Sequence, residues 1–134
     1  MDKGFAKRLF EIFLLAVLPV MFGCAGLEAP VTAQSPEQGK RVIDMRANSF
    51  EFQPNNIKVP EPGALTMTIE NISDAAHNIT IKNPEGLVLK SVDLPTKKSV
   101  SVTVDLPTFG KYKFYCDKPF HATLGMKGQI LVGS

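Results

Sequence analysis

The sequence is poor in residues that commonly form functional sites, with two histidines, two cysteines and no tryptophan among 134 residues. It also lacks an excess of either charge. Three of the fifteen Lys and Arg residues and two of the thirteen Asp and Glu residues lie in 1–24, so twelve basic and eleven acidic side chains remain beyond that segment. A nucleic-acid-binding domain usually carries a basic stripe or patch. We therefore expect no nucleic-acid partner, and the balanced charge gives no clue to electrostatic steering toward any other partner.

Helical patterning is missing as well: there is no internal repeat and no amphipathic helical segment longer than two turns. From position 41 onward, short runs rich in Val, Ile, Thr and Phe alternate with turn residues at the spacing of a sandwich. The length allows one domain of about 100 residues with a short appendage. We predict an all-β sandwich with strands at 41–47, 49–53, 56–60, 64–71, 77–83, 87–92, 98–106, 110–116 and 127–133.

The alternation of apolar and polar residues along these strands predicts which side chains face the core. In 64–71 it places Leu65, Met67 and Ile69 on one buried face. The same parity puts His77 on the buried face of its strand and Cys116 on the buried face of its own. Both residues are therefore expected to point into the sandwich near strand ends, where a shielded site could form.

The N-terminus has the pattern of an export signal, in which three basic residues precede the apolar stretch from Ile12 to Phe22. Gly23 and Cys24 at its end resemble a bacterial lipoprotein box, and we predict that Cys24 carries a lipid. An ordinary cleaved signal, ending near residues 31–33, is one alternative. An uncleaved anchor is another, although a membrane span needs about 20 apolar residues.

These features divide the chain into a signal peptide of the lipoprotein type at 1–24, a flexible tether at 25–40 and a folded domain at 41–134. The tether is polar, contains Pro and Gly and has no periodicity. We expect an exported protein, periplasmic or otherwise extracytoplasmic, that is anchored to a membrane through the lipid.

An exported protein usually pairs its cysteines, so a disulfide between Cys24 and Cys116 is the first alternative to weigh. Cys24 lies at the signal boundary, where it is either lipidated or removed. Cys116 is then the only thiol of the mature chain. A lone thiol in an oxidising compartment needs protection, and coordination of a metal provides it.

The region around Cys116 also contains His121 and Met126, and His77 is the other histidine of the chain. Taken singly, a histidine here could be a satisfied core-edge residue, the cysteine a small buried hydrophobe and the methionine a gap filler. Together, two imidazoles, one thiolate and a weak axial thioether are the ligands of a blue-copper electron-transfer site. We predict one type 1 copper ion held by His77, Cys116, His121 and Met126.

Other metal sites fit this set less well. Structural zinc normally has four strong ligands, and a thioether is a poor one. A dinuclear copper centre needs a second cysteine on the loop, where position 120 carries Phe. The strand residues Met45 and Met67 are predicted to pack in the core rather than bind metal.

With these residues in place, the chain resembles the cupredoxins over roughly residues 41–134. The motifs that carry the resemblance are 48–54 with 57–59, Asn71 before Ala76-His77-Asn78, and the segment 115–128. Its ligand loop is C-x4-H-x4-M, the length found in auracyanin and rusticyanin, and it differs from the loops of plastocyanins and azurins.

The resemblance implies a Greek-key sandwich with copper under one end and the His121 ring edge at the surface. It implies that Asn78 tethers the two ligand loops and helps to hydrogen-bond the thiolate. By analogy, an electron port surrounds His121, framed by Pro119, Phe120, Ala122 and Leu124.

We therefore predict an exported mononuclear blue-copper protein that shuttles one electron between redox proteins, such as a cytochrome or an oxidase, and is a monomer. It is not expected to be an enzyme, because multicopper oxidases and nitrite reductases need more histidines than this chain has. The alternative is a copper delivery or resistance protein with the same fold. Such proteins tend to carry Met-rich or His-rich tracts, and this sequence has none.

Overall fold

The computed structural model describes residues 31–32 and 41–133. These residues form ten strands and no helix: β1 (Val31–Thr32), β2 (Arg41–Asn48), β3 (Glu51–Gln53), β4 (Asn56–Val59), β5 (Gly63–Asn71), β6 (His77–Lys82), β7 (Val88–Leu94), β8 (Ser99–Leu106), β9 (Gly110–Tyr115) and β10 (Lys127–Val132). In this described part of the chain, nothing helical is long and apolar enough to cross a bilayer. The all-β prediction is confirmed.

The strands form two sheets, one of six strands in the order β1-β4-β10-β9-β6-β7 and one of four in the order β3-β2-β5-β8. Strand β4 runs parallel to β1 and β10, and β2 runs parallel to β5, whereas the other pairs are antiparallel. Consecutive strands pair in β2-β3, β6-β7 and β9-β10, whereas the pairs β4-β10, β6-β9, β2-β5 and β5-β8 join strands that are not consecutive, as in a Greek-key sandwich. Buried apolar side chains from both sheets form one cluster. The sheets therefore enclose a single core.

All nine predicted strands are present, with ends shifted by one or two residues. A tenth strand lies within the predicted tether, where Val31 and Thr32 pair with Ile57 and Lys58 of β4. The sandwich thus begins earlier than residue 41. The signal peptide, Cys24 and the remainder of the tether lie outside the described residues.

In β5 the predicted buried face is confirmed: Leu65, Met67 and Ile69 have no exposed surface. Complete burial of such a side chain contributes about 1.5–3 kcal/mol. The polar Thr66 between them is also buried, and its hydroxyl forms a 2.9 Å hydrogen bond with that of Thr103 on β8. Inward residues of β5 and their counterparts on β9 supply the core on which the site is built.

Strand β9, which leads to Cys116, is anchored at its start by the fully buried Tyr112. The Tyr112 hydroxyl donates to the Thr108 carbonyl at 2.8 Å and accepts from the Thr108 N–H at 3.0 Å. Phe114 follows on the same face and packs edge-on against Phe52, with ring centroids 5.5 Å apart. These contacts hold the strand rigidly up to the residue that carries the thiol.

Candidate metal centre

The candidate site is assembled at one end of the six-stranded sheet, because three strands begin or end there. Strand β6 begins with His77, β9 ends one residue before Cys116, and β10 begins one residue after Met126. Strand β9 is the neighbour of both β6 and β10, and Tyr115 pairs with Thr80 on one side and with Lys127 on the other. The sheet register therefore carries three distant parts of the sequence to one point.

Three of the predicted ligands meet closely. One donor atom each from His77, Cys116 and His121 lies within 4.8 Å of the others. The two histidines face each other through Nδ1, 3.1 Å apart, and the Cys116 sulfur lies 3.4 Å from His121 Nδ1. His77 and Cys116 are buried, whereas His121 is half-buried.

Met126, the fourth predicted ligand, is fully buried and closes the loop that begins at Cys116. Its carbonyl accepts from the Cys116 N–H at 3.0 Å, and its own N–H donates to the His121 carbonyl at 2.9 Å. The loop between them turns at Phe120, which has a φ of 68°, and Leu124 N–H donates back to the Phe120 carbonyl. Backbone hydrogen bonds thus close the loop between Cys116 and Met126.

A serine that the sequence reasoning did not identify holds the His77 ring from behind. Ser73 Oγ lies 2.8 Å from His77 Nε2 and within 3.0 Å of both Asn71 Oδ1 and the Ala75 carbonyl. The last two atoms only accept hydrogen bonds, so they compete for the single hydroxyl proton. Ser73 Oγ must then act as the acceptor toward His77.

The Ser73 contact sets the tautomer of the candidate ligand. Nε2 of His77 carries the proton, and the unprotonated Nδ1 points toward Cys116 and His121, as a metal ligand must. Burial lowers the pKa of His77 below its usual range, and the nearby charges of His121 and Lys118 lower it further. The ring is therefore neutral at neutral pH.

Asn71 holds this arrangement in place. Its side-chain NH2 donates to the Ala75 carbonyl at 2.8 Å and to the Leu94 carbonyl at 2.9 Å, so its oxygen faces Ser73. The resemblance motif contained Asn71, but nothing in the sequence indicated the part played by Ser73. The only local signal was the Asn-x-Ser pattern, which favours a tight turn with side-chain-to-backbone hydrogen bonds.

Asn78 joins the two segments that carry the candidate ligands. Its side-chain oxygen accepts from the Asp117 N–H at 2.7 Å, directly after Cys116, and its NH2 lies near the hydroxyls of Thr80 and Ser91. Among the described residues, its hydrogen bonds do not include the Cys116 sulfur. The side chain therefore positions the loop through the backbone.

The end of the domain around His121 is apolar. Phe120 is 77% exposed and Leu124 is 58% exposed, with Pro119 exposed and Ala122 half-buried beside them. Phe50, which the sequence reasoning left out of this patch, packs edge-on against the His121 ring with centroids 5.1 Å apart. Phe50 comes from the turn between β2 and β3, so only the tertiary structure brings it here.

The donor set can be tested against metals by its chemistry. One thiolate, two imidazole nitrogens and a thioether make a mixed soft and borderline set, which suits copper better than zinc or a hard cation. Both Met45 and Met67 are buried in the core strands, as predicted. The residues brought together at this end fit one copper ion of the type 1 kind.

Solved structures similar to this chain share the fold at low sequence identity. One is a dithionite-reduced auracyanin from Roseiflexus castenholzii, with a TM-score of 0.62, 22% identity and coverage of 69% of this chain and 97% of that one. Another is auracyanin A, a "blue" copper protein from Chloroflexus aurantiacus, with a TM-score of 0.57, 20% identity and coverage of 78% and 99%.

A third similar structure is the metal-binding domain, with Cu(I), of the Cu(I)-exporting P-type ATPase CopA of Streptococcus pneumoniae D39. It has a TM-score of 0.61, 18% identity and coverage of 81% of this chain and 100% of that one. A search of curated protein sequences gave no match. The family model for the cupredoxin-like domain matches residues 14–132. Since that match spans most of the sequence, the chain belongs to the cupredoxin-like domain family.

Proposed function

We propose that this domain holds one copper ion through His77, Cys116, His121 and Met126 and works as a one-electron carrier rather than an enzyme. The observation that carries the proposal is the convergence of three donor atoms within 4.8 Å at the end of a rigid sandwich. Bound copper would supply the one-electron Cu(I)/Cu(II) couple.

The protein's own residues support this role by holding the four ligands in fixed positions. The Ser73 hydroxyl holds His77, the core holds Cys116, and the backbone of the closed loop holds His121 and Met126. A ligand set that cannot rearrange needs little reorganisation when the charge at the site changes. Small reorganisation favours fast outer-sphere electron transfer.

His121 is the route to the surface in this proposal. His121 is the least buried of the three clustered residues, and the apolar side chains around it carry no charge that a partner would have to desolvate. A redox protein could therefore approach closely. We propose that the patch of Pro119, Phe120, Ala122 and Leu124, together with Phe50, is the electron port.

The proposal is tested by loading the protein with one equivalent of Cu(II) and recording its visible spectrum. An intense thiolate-to-copper band and electron self-exchange detectable by NMR line broadening are the expected results. A colourless Cu(II) complex would exclude a blue-copper site, and a coloured protein without measurable self-exchange would exclude the carrier role.

A copper-delivery function is the second candidate, since the similar CopA domain was solved with Cu(I). Delivery requires that an acceptor reach the metal and exchange ligands. Here Cys116 and Met126 have no exposed surface, which favours retention over exchange. Rapid loss of Cu(I) to a chromophoric chelator at neutral pH would favour delivery, and slow loss favours the carrier.

We also propose that the protein is an exported monomer tethered to a membrane through lipid on Cys24. The support is the sequence pattern of residues 1–24, which lie outside the described part of the chain. A cytochrome or an oxidase on the same side of the membrane would be a suitable partner.

Replacing Met126 by Leu is expected to leave copper and colour in place while raising the reduction potential. The axial thioether is a weak ligand, and its loss removes electron donation that favours Cu(II). Leu is nearly isosteric, so the fully buried position should be filled with little strain. Protein-film voltammetry measures the shift, with Met67→Leu as a control that removes a buried sulfur outside the loop. Loss of copper in the Met126 variant would contradict a weak axial role.

Replacing Ser73 by Ala is expected to lower copper affinity by about 10–100-fold, the usual range for losing a hydrogen-bond partner behind a ligating histidine. Without the Ser73 hydroxyl, the Nε2 proton of His77 has no acceptor and the ring can turn or change tautomer. Competition with a copper chelator measures the affinity, and Ser73→Thr, which retains a hydroxyl, should restore it. Equal affinities for Ser73→Ala and the wild type would show that this contact does not orient the ring.

A further inference from the structure

The charge of the domain is balanced in total but separated in space. On the outer face of the six-stranded sheet, alternation places five lysines: the exposed Lys111 and Lys113 of β9 and Lys127 of β10, and the half-buried Lys58 of β4 and Lys82 of β6. Strands β4, β6, β9 and β10 contain no Asp or Glu, although Asp93 lies on the same face in the edge strand β7, opposite Asn78. We call these five residues the lysine face.

The other sheet has the opposite character. Its outward positions carry Asp44, Glu51, Glu70 and Asp105, with Arg46 as the basic residue among them. Arg46 lies 4.0 Å from Glu70, so part of its charge is matched locally. The balanced total charge of the chain gave no indication of steering, because counting residues misses a separation of charge that sheet pairing creates.

The lysine face is available to a partner. No ion pair joins any of its five lysines to a carboxylate within the described residues. The nearest acidic side chains are already engaged, since Asp93 lies 3.9 Å from Lys118 and Asp117 accepts from the Thr80 hydroxyl. Any negative charge that pairs with these lysines would come from outside the described residues.

A groove of about 920 Å³ crosses part of this face and ends at the ligand loop. Lys111, Lys113 and Lys127 line it together with Tyr115, and Ala122 and Thr123 of the ligand loop form its near end. Tyr115, Ala122 and Lys127 each adjoin a proposed copper ligand in sequence. A group bound in the groove would thus lie beside the ligand loop and meet the apolar patch at Ala122.

We propose that this groove docks an acidic surface of a protein redox partner, an inference that rests on the proposed carrier function. Opposite charge across an interface chiefly raises the association rate and sets orientation. A protruding acidic segment can enter a concave groove, whereas a lipid bilayer surface meets it only at the rim. The apolar patch and the lysine face then form one continuous contact region around the ligand loop.

The first test measures binding on metal-free protein, so that it does not depend on copper. Poly-L-glutamate is titrated into isotope-labelled protein and followed by NMR. We expect salt-sensitive shifts at Lys111, Lys113, Tyr115 and Lys127. The double variant Lys111→Glu/Lys113→Glu should weaken binding at least about tenfold. The matched control, Lys90→Glu/Lys98→Glu, makes the same charge change outside the lysine face and should weaken it less than twofold.

The second test uses Cu(II)-loaded protein and two small reductants, anionic hexacyanoferrate(II) and cationic hexaammineruthenium(II). The Lys111/Lys113 variant should slow reduction by the anion and speed reduction by the cation, with an unchanged visible spectrum. A colourless loaded protein would refute the proposed function, while the NMR titration still decides the docking surface. The proposal would be overturned if the two double variants had equal effects. It would also be overturned if the same lysines bound phosphatidylglycerol vesicles more tightly than poly-L-glutamate.

Discussion

Replacing Cys116 by Ser is expected to abolish the visible charge-transfer band of the Cu(II)-loaded protein and to weaken copper binding more than about 100-fold. Loss of a partner behind a ligand already costs about 10–100-fold, and loss of the ligand itself must cost more. A hydroxyl is a far weaker and harder donor than a thiolate, so the remaining imidazoles would hold copper without the short bond that produces the colour.

The measurement needs a control for folding, because Cys116 is fully buried and lies in the core cluster. Far-UV circular dichroism and the thermal transition of the metal-free variant should remain close to those of the wild type, since Ser is nearly the same size. The Met67→Leu control should keep the colour. If Cys116→Ser retained the band, a different residue would be the sulfur ligand.

Replacing Gly128 by Ala is expected to lower the free energy of unfolding by about 3 kcal/mol, the upper range for forcing an extra methyl group into a packed interior. A Cβ at this position would overlap the Asn55 carbonyl oxygen and the ring of Phe114. The Asn55 oxygen cannot move freely, because it accepts the Gln129 N–H at 2.8 Å. Phe114 is fully buried and packed against Phe52, so the ring has no space to retreat.

Urea unfolding of the metal-free protein measures this effect, with Gly86→Ala as the matched control. Gly86 has a φ of 90° but no atom within 4 Å of an added Cβ. Its substitution should therefore cost only the left-handed backbone penalty of about 1–2 kcal/mol. If the Gly128 variant were as stable as the Gly86 variant, β10 and the chain before β4 could move apart without lowering the free energy of unfolding.

The strands could be predicted from the sequence because each has one buried face. That condition enforces alternation, and in β5 the pattern of Leu65, Met67 and Ile69 left little choice of orientation. Val31 and Thr32 were missed as a strand because two residues are too few to show any period. Their structure comes from the exposed edge of β4, which lies far along the chain.

The candidate ligands could be predicted because metal chemistry belongs to residue types. With two histidines and one cysteine left in the domain, few donor sets were available, and the spacing of Cys116, His121 and Met126 placed three of them on one loop. The partners of those ligands could not be predicted in the same way. Serine and asparagine are common, and the Asn-x-Ser pattern at Ser73 indicates a turn but no ligand contact.

By itself, then, the sequence determined the all-β class, the buried face of each long strand and the identity of the donor atoms, since these depend on side-chain chemistry and on short-range periodicity. Only the tertiary structure decided the tautomer of His77, the packing of Phe50 on His121 and the separation of charge into a lysine face and an acidic face. The physical reason is that each of these depends on which strands become neighbours. Sheet pairing joins residues dozens of positions apart, and no local pattern records the distance or direction between them.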